Sequence, residues 1–223
     1  METLAQDRRD RLQRMRLYVV TGDRGGLDET LRIVEAALVG GADVIQLRKK
    51  AMPKDALVRL GLRIRDLTRR HGALFIMNDY PDLAIATDAD GVHVGQDDFP
   101  PAMIRSLHGF QGRLLGRSTH SIEQAQRAVL DRVDYLGVGP VFATPTKPGR
   151  PAVGTDLVRE VAQKIELPFV AIGGIELANA PQVIEAGARA IAVVRAVYDA
   201  ADPATVARQL RRLVEAKEEA VTA

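Results

Sequence analysis

Eight short apolar runs, each followed by a longer amphipathic or loop-forming segment, recur from one end of this sequence to the other. The runs are LYVV (17–20), VIQL (44–47), LFIM (74–77), GVHVG (91–95), LLGRS (114–118), YLGVG (135–139), FVAIGG (169–174) and AIAVV (190–194). Gly, Pro, Asp or Asn marks each switch, as expected where strands give way to loops and helices. Strand-like runs separated by helices require parallel pairing through crossovers, and eight of them close a barrel. The competing doubly wound sheet needs fewer strands and a Gly-rich turn after its first strand. Here the first strand is followed by TGDRGGLDE, which lacks G-x-G-x-x-G and reads as a loop. The predicted fold class is therefore α/β, a single (β/α)8 TIM barrel with an extra N-terminal helix.

The helical segments carry their own signals. From Lys54 to about His71, Leu57, Leu60, Ile64 and Leu67 form one stripe between Arg-rich faces. Ser121 followed by Glu123 predicts a helix N-terminus with its cap and first-turn acid. Pro203 opens a last helix reaching about Ala220, with Val206, Leu210, Leu213 and Val214 on one side. A leading helix over about Leu4–Arg14 would cover the barrel bottom, so residues 1–223 are expected to form one domain with a helical extension over about 1–15. Nothing in the sequence marks a linker or a second domain.

Composition narrows the function. Lys plus Arg number 31 against 29 Asp plus Glu, a balance that does not suit a nucleic-acid binder. Without cysteine there are no disulfides, thiolate metal sites or Cys nucleophiles, which fits a reducing cytoplasm. The charged start METLAQDRRDRLQRMR has no apolar centre, and no later run reaches the ~18 apolar residues of a membrane span. The expected setting is cytoplasmic, with no membrane partner.

Barrel chemistry sits at the C-terminal ends of strands, and the polar residues of this chain gather there. In VIQLRKK, Gln46, Arg48 and Lys50 alternate and are expected on one face, where the cations need an anionic partner. A polyphosphate suits the Arg fork and the Lys point charge. Lys49 is expected to point away, solvated or paired with a neighbouring helix. Strand three ends in Asn78-Asp79 and strand four in Gly95-Gln96-Asp97-Asp98. Singly, Asp79 and Asp98 read as helix caps before Pro81 and Pro100; together, at adjacent strand ends facing cations, they read as a Mg2+ pair. Strand five ends in Arg117-Ser118-Thr119-His120, and strand eight is expected to carry Arg195. GPVFATPTKPGRPAVGTD (139–156) is too long and too rich in Pro and Gly for a plain connection, and reads as an active-site lid carrying Thr144, Thr146 and Lys147. AIGGI (171–175) and AVVRA (192–196) match the phosphate site built after strands seven and eight. The four histidines have no metal-ligand spacing; only His120 lies at a strand end, and His71, His93 and His108 read as structural or exposed.

In order and spacing, YVVTG, VIQLRKK, IMNDYPDLAIATDADGVHVGQDD, LGRSTHS, DYLGVGPVFATPTKPG, FVAIGGI and AVVRAV together resemble the thiamine-phosphate synthases (thiamine-phosphate pyrophosphorylases) over most of the chain. The resemblance implies a transferase of thiamine biosynthesis that joins a hydroxymethylpyrimidine diphosphate to a thiazole phosphate, or to its carboxylated tautomer, releasing diphosphate. It implies pyrimidine diphosphate contacts at Gln46, Leu47, Arg48, Lys49, Lys50, Asn78, Ser118 and Lys147, with Arg48, Lys50, Ser118 and Lys147 catalytic. It places thiazole phosphate at Thr144, Pro145, Thr146, Gly174, Val194 and Arg195, and one Mg2+ per subunit at Asp79 and Asp98. Two positions depart from the family pattern: Lys49 stands where an acid is usual and Arg195 where a small residue is common. The partners implied are these small molecules, and a homo-oligomer is compatible with the sequence. The alternatives are a thiazole tautomerase-like relative using His120 as a base, and a non-catalytic phosphate-ligand binding protein.

Overall fold

The structure, a computed structural model, describes residues 2–144 and 151–222, with side chains over residues 3–217 of those ranges. Its elements run α1 (Glu2–Gln13), β1 (Leu17–Val20), α2 (Leu27–Val39), β2 (Val44–Leu47), α3 (Lys54–Arg70), β3 (Leu74–Asn78), α4 (Pro81–Ala86), β4 (Gly91–Val94), α5 (Pro101–Ser106) and β5 (Leu114–Thr119). The second half continues with α6 (Ile122–Leu130), β6 (Tyr135–Val138), α7 (Gly154–Lys164), β7 (Phe169–Ile172), α8 (Ala180–Glu185), β8 (Ile191–Val193), α9 (Arg195–Tyr198) and α10 (Pro203–Thr222). Each strand pairs in parallel with the next, and β1 pairs with β8, so the sheet closes as a (β/α)8 barrel. Among the described residues no helix is long and apolar enough to cross a membrane.

The two-residue period of each strand sorts its side chains into two cores. Leu17 and Val19, Ile45 and Leu47, and Phe75 and Met77 face outward and pack beneath the helices with the α3 stripe Leu57, Leu60, Ile64 and Leu67. Tyr18, Val44, Leu74, Ile76, Leu114, Tyr135 and Val170 face inward and fill the barrel. Leu12 of α1 and Met15 join this inner cluster, so the leading helix closes the bottom as the sequence predicts.

Aspartates that directly precede even strands fasten this bottom. Asp43 Oδ2 accepts the N–H groups of Arg16 and Leu17 at 2.8 and 3.0 Å, while Oδ1 accepts from Arg211 at 2.6 Å. Asp90 accepts from Phe75 N–H at 2.9 Å and from the side chains of Arg8 and Arg65 at 2.9 and 2.6 Å. Asp134 accepts from Leu115 N–H at 2.7 Å and from Arg105 at 2.6 Å. Each carboxylate thereby ties the preceding odd strand to a helical arginine, and the chemistry is left to the opposite rim.

Candidate active site

At the C-terminal rim, a cavity of about 320 Å3 opens into the barrel. Gln46, Arg48, Asn78 and Ser118 line one side, and Thr144, Gly174, Val194 and Arg195 line the other. Between them lie Val20, Val170, Ile172 and Ala192, an apolar floor suited to flat rings. Residues expected at the two separate phosphate subsites thus border one space.

The strand period explains only part of this. Gln46, on the inward face of β2, donates from Nε2 to Tyr18 OH at 3.0 Å. The strand stops at Leu47, so Arg48 and Lys50 are positioned by the turn that follows instead of by alternation. Arg48 is buried, and its guanidinium pairs at 3.1 Å with Asp23 of the β1–α2 loop. The run VIQL contains no acid; the partner comes from the neighbouring loop. Lys50 is exposed and borders a second hollow of about 230 Å3 shared with Arg48, Asn78 and Asp79.

Lys49 points away from the barrel axis but is not solvated. It is 5% exposed, its Nζ donates to Arg24 O, to Gly25 O at 3.0 Å and to Tyr198 OH at 2.9 Å, and it sits 5.2 Å from the Tyr198 ring centre. Tyr198 belongs to α9, so this lysine ties the cationic turn to the short helix beyond β8. Arg195 is the first residue of α9 instead of part of the last strand, and its exposed side chain borders the cavity. Arg117 turns outward and pairs with Asp131 at 2.6 Å, away from the cavity.

Neither Asp79 nor Asp98 caps a helix. Tyr80 and Pro100 hold the cap positions of α4 and α5, with no side-chain cap bond at either. Asp79 takes φ 63°, a left-handed conformation that Asp tolerates better than most residues, and its N–H donates to His93 O at 2.9 Å. Asp98 Oδ2 accepts Gly95 N–H at 2.6 Å just past β4. Among the described residues there is no group of three His, Cys, Asp or Glu that could hold a metal. Asp79 borders the hollow shared with Lys50, and Asp98 lies just past β4. Carboxylate oxygens of this kind suit a hard, oxygen-seeking ion that completes its shell with substrate and water, and do not suit zinc.

Pro145, Thr146 and Lys147 lie outside the described residues. Thr144 borders the cavity beside Gly139 and Pro140. Gly174 has φ 65°, and a Cβ there would stand 2.8 Å from Phe142 Cβ and 2.9 Å from Ala143 O. Only glycine brings the backbone this close without strain, and that exposes N–H groups to an anion.

Three side chains escaped the sequence reading. His93 reads in sequence as structural or exposed, yet it lines the cavity, with Nε2 3.0 Å from Ser118 Oγ and Nδ1 3.1 Å from Tyr135 OH. Tyr18 and Tyr135 read as core apolars within LYVV and YLGVG, but their hydroxyls meet at 2.9 Å. The signal was a polar atom on the inward phase of a strand. His120 borders the cavity, with Nδ1 against Gly139 O.

Comparison with known proteins places the chain in a family. The family model described as thiamine monophosphate synthase matches residues 17–197. A thiamine-phosphate synthase of Chloroflexus aurantiacus is 51% identical over 92% of this chain and 94% of its own length. One from Thermus thermophilus is 53% identical over 88% of this chain and 95% of its own. A Gloeobacter violaceus relative of the same name is 53% identical over 93% of this chain, which spans 60% of that longer protein. Among solved structures, a thiamine phosphate pyrophosphorylase from Pyrococcus furiosus superposes with a TM-score of 0.84 at 36% identity, covering 92% of this chain and 98% of that one.

Proposed function

This chain belongs to the thiamine monophosphate synthase family, and from that premise we propose how its residues carry a thiamine-phosphate synthase reaction. The activity is a transfer: the bond from the pyrimidine methylene carbon to the diphosphate oxygen breaks, and the thiazole nitrogen forms a bond to that carbon. Thiamine phosphate and diphosphate leave.

In this reading Gln46, Leu47, Arg48, Lys49, Lys50, Asn78 and Ser118 make up the pyrimidine diphosphate side. Arg48 and Ser118 contact the anion, Lys50 adds charge at the rim, and Lys49 holds the turn in place from behind. Thr144, Gly174, Val194 and Arg195 take the thiazole phosphate, the last two through the backbone at the start of α9. Lys147, Pro145 and Thr146 are assigned to the same sites by the resemblance alone. Asp79 and Asp98 would hold one Mg2+, which when bound supplies positive charge to the departing diphosphate. Such a displacement needs fixed charges and close positioning more than a general base. The apolar floor of Val20, Val170, Ile172 and Ala192 keeps water from the electron-poor methylene carbon. The setting proposed is cytoplasmic, with the carboxylated thiazole phosphate tautomer as an acceptable acceptor whose carboxylate leaves as CO2 when the new carbon–nitrogen bond forms.

The observation that carries this reading is the single cavity bordered by both residue sets. A tautomerase would not need Arg48, Asn78 and Ser118 on its wall. The test is formation of thiamine phosphate by the purified protein from the two phosphorylated rings, with and without Mg2+. Metal-dependent product with one diphosphate per turnover supports the assignment; no product beside an active control enzyme refutes it.

A further inference from the structure

From Gln46 to Ser118, passing beneath the cavity through the barrel core, runs an unbroken line of five hydrogen-bonding groups. Gln46 Nε2 stands 3.0 Å from Tyr18 OH, Tyr18 OH 2.9 Å from Tyr135 OH, Tyr135 OH 3.1 Å from His93 Nδ1, and His93 Nε2 3.0 Å from Ser118 Oγ. The barrel makes room for this line with two strand glycines. A Cβ on Gly116 would overlap the Tyr135 ring, and one on Gly137 would crowd His93 Cε1 at 3.1 Å. Glycine weakens a strand interior, so two of them beside these rings mark space kept for side chains that cross the barrel.

Donor counting gives the line a direction. An amide nitrogen donates and does not accept, so Gln46 spends a proton on the Tyr18 oxygen. Burial pushes the pKa of Tyr18 upward and that of Tyr135 well above the ordinary phenol value, so each keeps its single proton. A phenol oxygen can accept two bonds, but the fully buried Tyr18 hydroxyl meets only the Gln46 amide nitrogen, which cannot accept, and Tyr135 OH. The arrangement that leaves neither hydroxyl proton unpaired therefore has Tyr18 donating to Tyr135 and Tyr135 donating to His93 Nδ1. A neutral imidazole accepting at Nδ1 carries its proton on Nε2 and donates it to Ser118 Oγ. The Ser118 hydroxyl hydrogen is left to point elsewhere. Gln96 Nε2, at 2.5 Å from the Ser118 carbonyl, holds the backbone beneath it.

We propose that Tyr135 is a positioning residue: through His93 it fixes the Ser118 hydroxyl as a hydrogen-bond donor aimed into the cavity, toward the diphosphate oxygen on which charge develops as the pyrimidine carbon departs. Tyr135 is fully buried and does not border the cavity, so its influence passes through the line alone. The proposal rests on the transferase reading for its target, while the direction of the line stands independently of it.

Two measurements test it. Nitrogen-15 spectra of the imidazoles, recorded on ligand-free protein at about pH 8, above the ordinary histidine pKa of about 6.5, should find His93 protonated on Nε2. Tyr135→Phe should lose that preference while remaining folded. Its kcat should fall by about tenfold or more, a smaller loss than deletion of an oxyanion donor, with the KM for pyrimidine diphosphate within about threefold. In a Ser118→Ala background the same change should have no further effect on kcat, because a relay through Ser118 is non-additive with it. A wild-type His93 protonated on Nδ1 would overturn the proposal, whether or not Tyr135→Phe folds. So would an equal loss of kcat from Tyr135→Phe with and without Ser118→Ala. Failure of the wild type to make thiamine phosphate would count against the transferase reading alone, since the imidazole spectrum needs no turnover.

Discussion

Asp23 holds Arg48 with one carboxylate oxygen, at 3.1 Å from the guanidinium, and the backbone N–H of Lys50 with the other, at 2.9 Å. A loop acid therefore shapes the cationic turn before any substrate arrives. Arg48 is 6% exposed and Asp23 half-exposed, so the carboxylate can yield to a phosphate while the guanidinium stays.

Arg48→Ala is expected to remain folded and to raise the KM for pyrimidine diphosphate by about 10- to 100-fold, in line with ~1.5–3 kcal/mol for a hydrogen bond to a charged group. Thermal melting beside steady-state kinetics checks this. An unfolded variant would assign Arg48 to the scaffold.

Asp79→Asn separates charge from conformation. Asn tolerates the left-handed backbone at this position, so the melting temperature should hold, whereas the loss of a negative oxygen should weaken Mg2+. The expected result is a rate that saturates only at roughly tenfold or more higher Mg2+, a factor equivalent to about 1.4 kcal/mol. Saturation at the wild-type concentration would remove Asp79 from the metal site.

Gly174→Ala should impair the acceptor half of the reaction. The new methyl meets Phe142 and the Ala143 carbonyl, and the positive φ resists any side chain. Strain of about 1–3 kcal/mol is expected, released by moving the backbone that would hold the thiazole phosphate. The KM for that substrate should rise, with the pyrimidine diphosphate KM nearly unchanged; equal changes in both would contradict the assignment.

Asp90→Ala addresses stability alone. The carboxylate is buried and serves Arg8, Arg65 and a strand N–H, so its loss strands two guanidinium groups at the barrel bottom. A cost of ~3–5 kcal/mol follows, a fall of very roughly 6–20 °C in Tm for a chain of this size. At a temperature where the variant stays folded, its kcat should match wild type.

The barrel was legible because its signal repeats: observed strands begin and end within about two residues of the apolar runs, and Ser121 caps α6 by accepting from Gln124 N–H. Gln46, Arg48, Asn78, Ser118 and Gly174 could be grouped because position at a strand end survives without coordinates. What escaped depends on cross-strand geometry. Asp23 meets Arg48 through a loop, Lys49 is covered by a tyrosine from the far end of the chain, and Tyr18, Tyr135 and His93 declare themselves only when inward phases of three strands converge. Asp43, Asp90 and Asp134 each stand just before an even strand, a regularity visible in ADVIQL, ADGVHV and VDYLGV but meaningless until their partners are known.

The pairing of Leu17 with Ile191 and Val19 with Val193 sets a condition on birth of the protein as well as on its shape. The first strand made waits for the last, which at a synthesis rate of about 5–20 residues per second means roughly ten seconds or longer with an unfilled edge. Until β8 emerges, β1 presents unpaired backbone to any other strand nearby. A ribosome stalled before β8 would hold an intermediate whose β1 edge is still open, the consequence of a sheet that has no ends once complete.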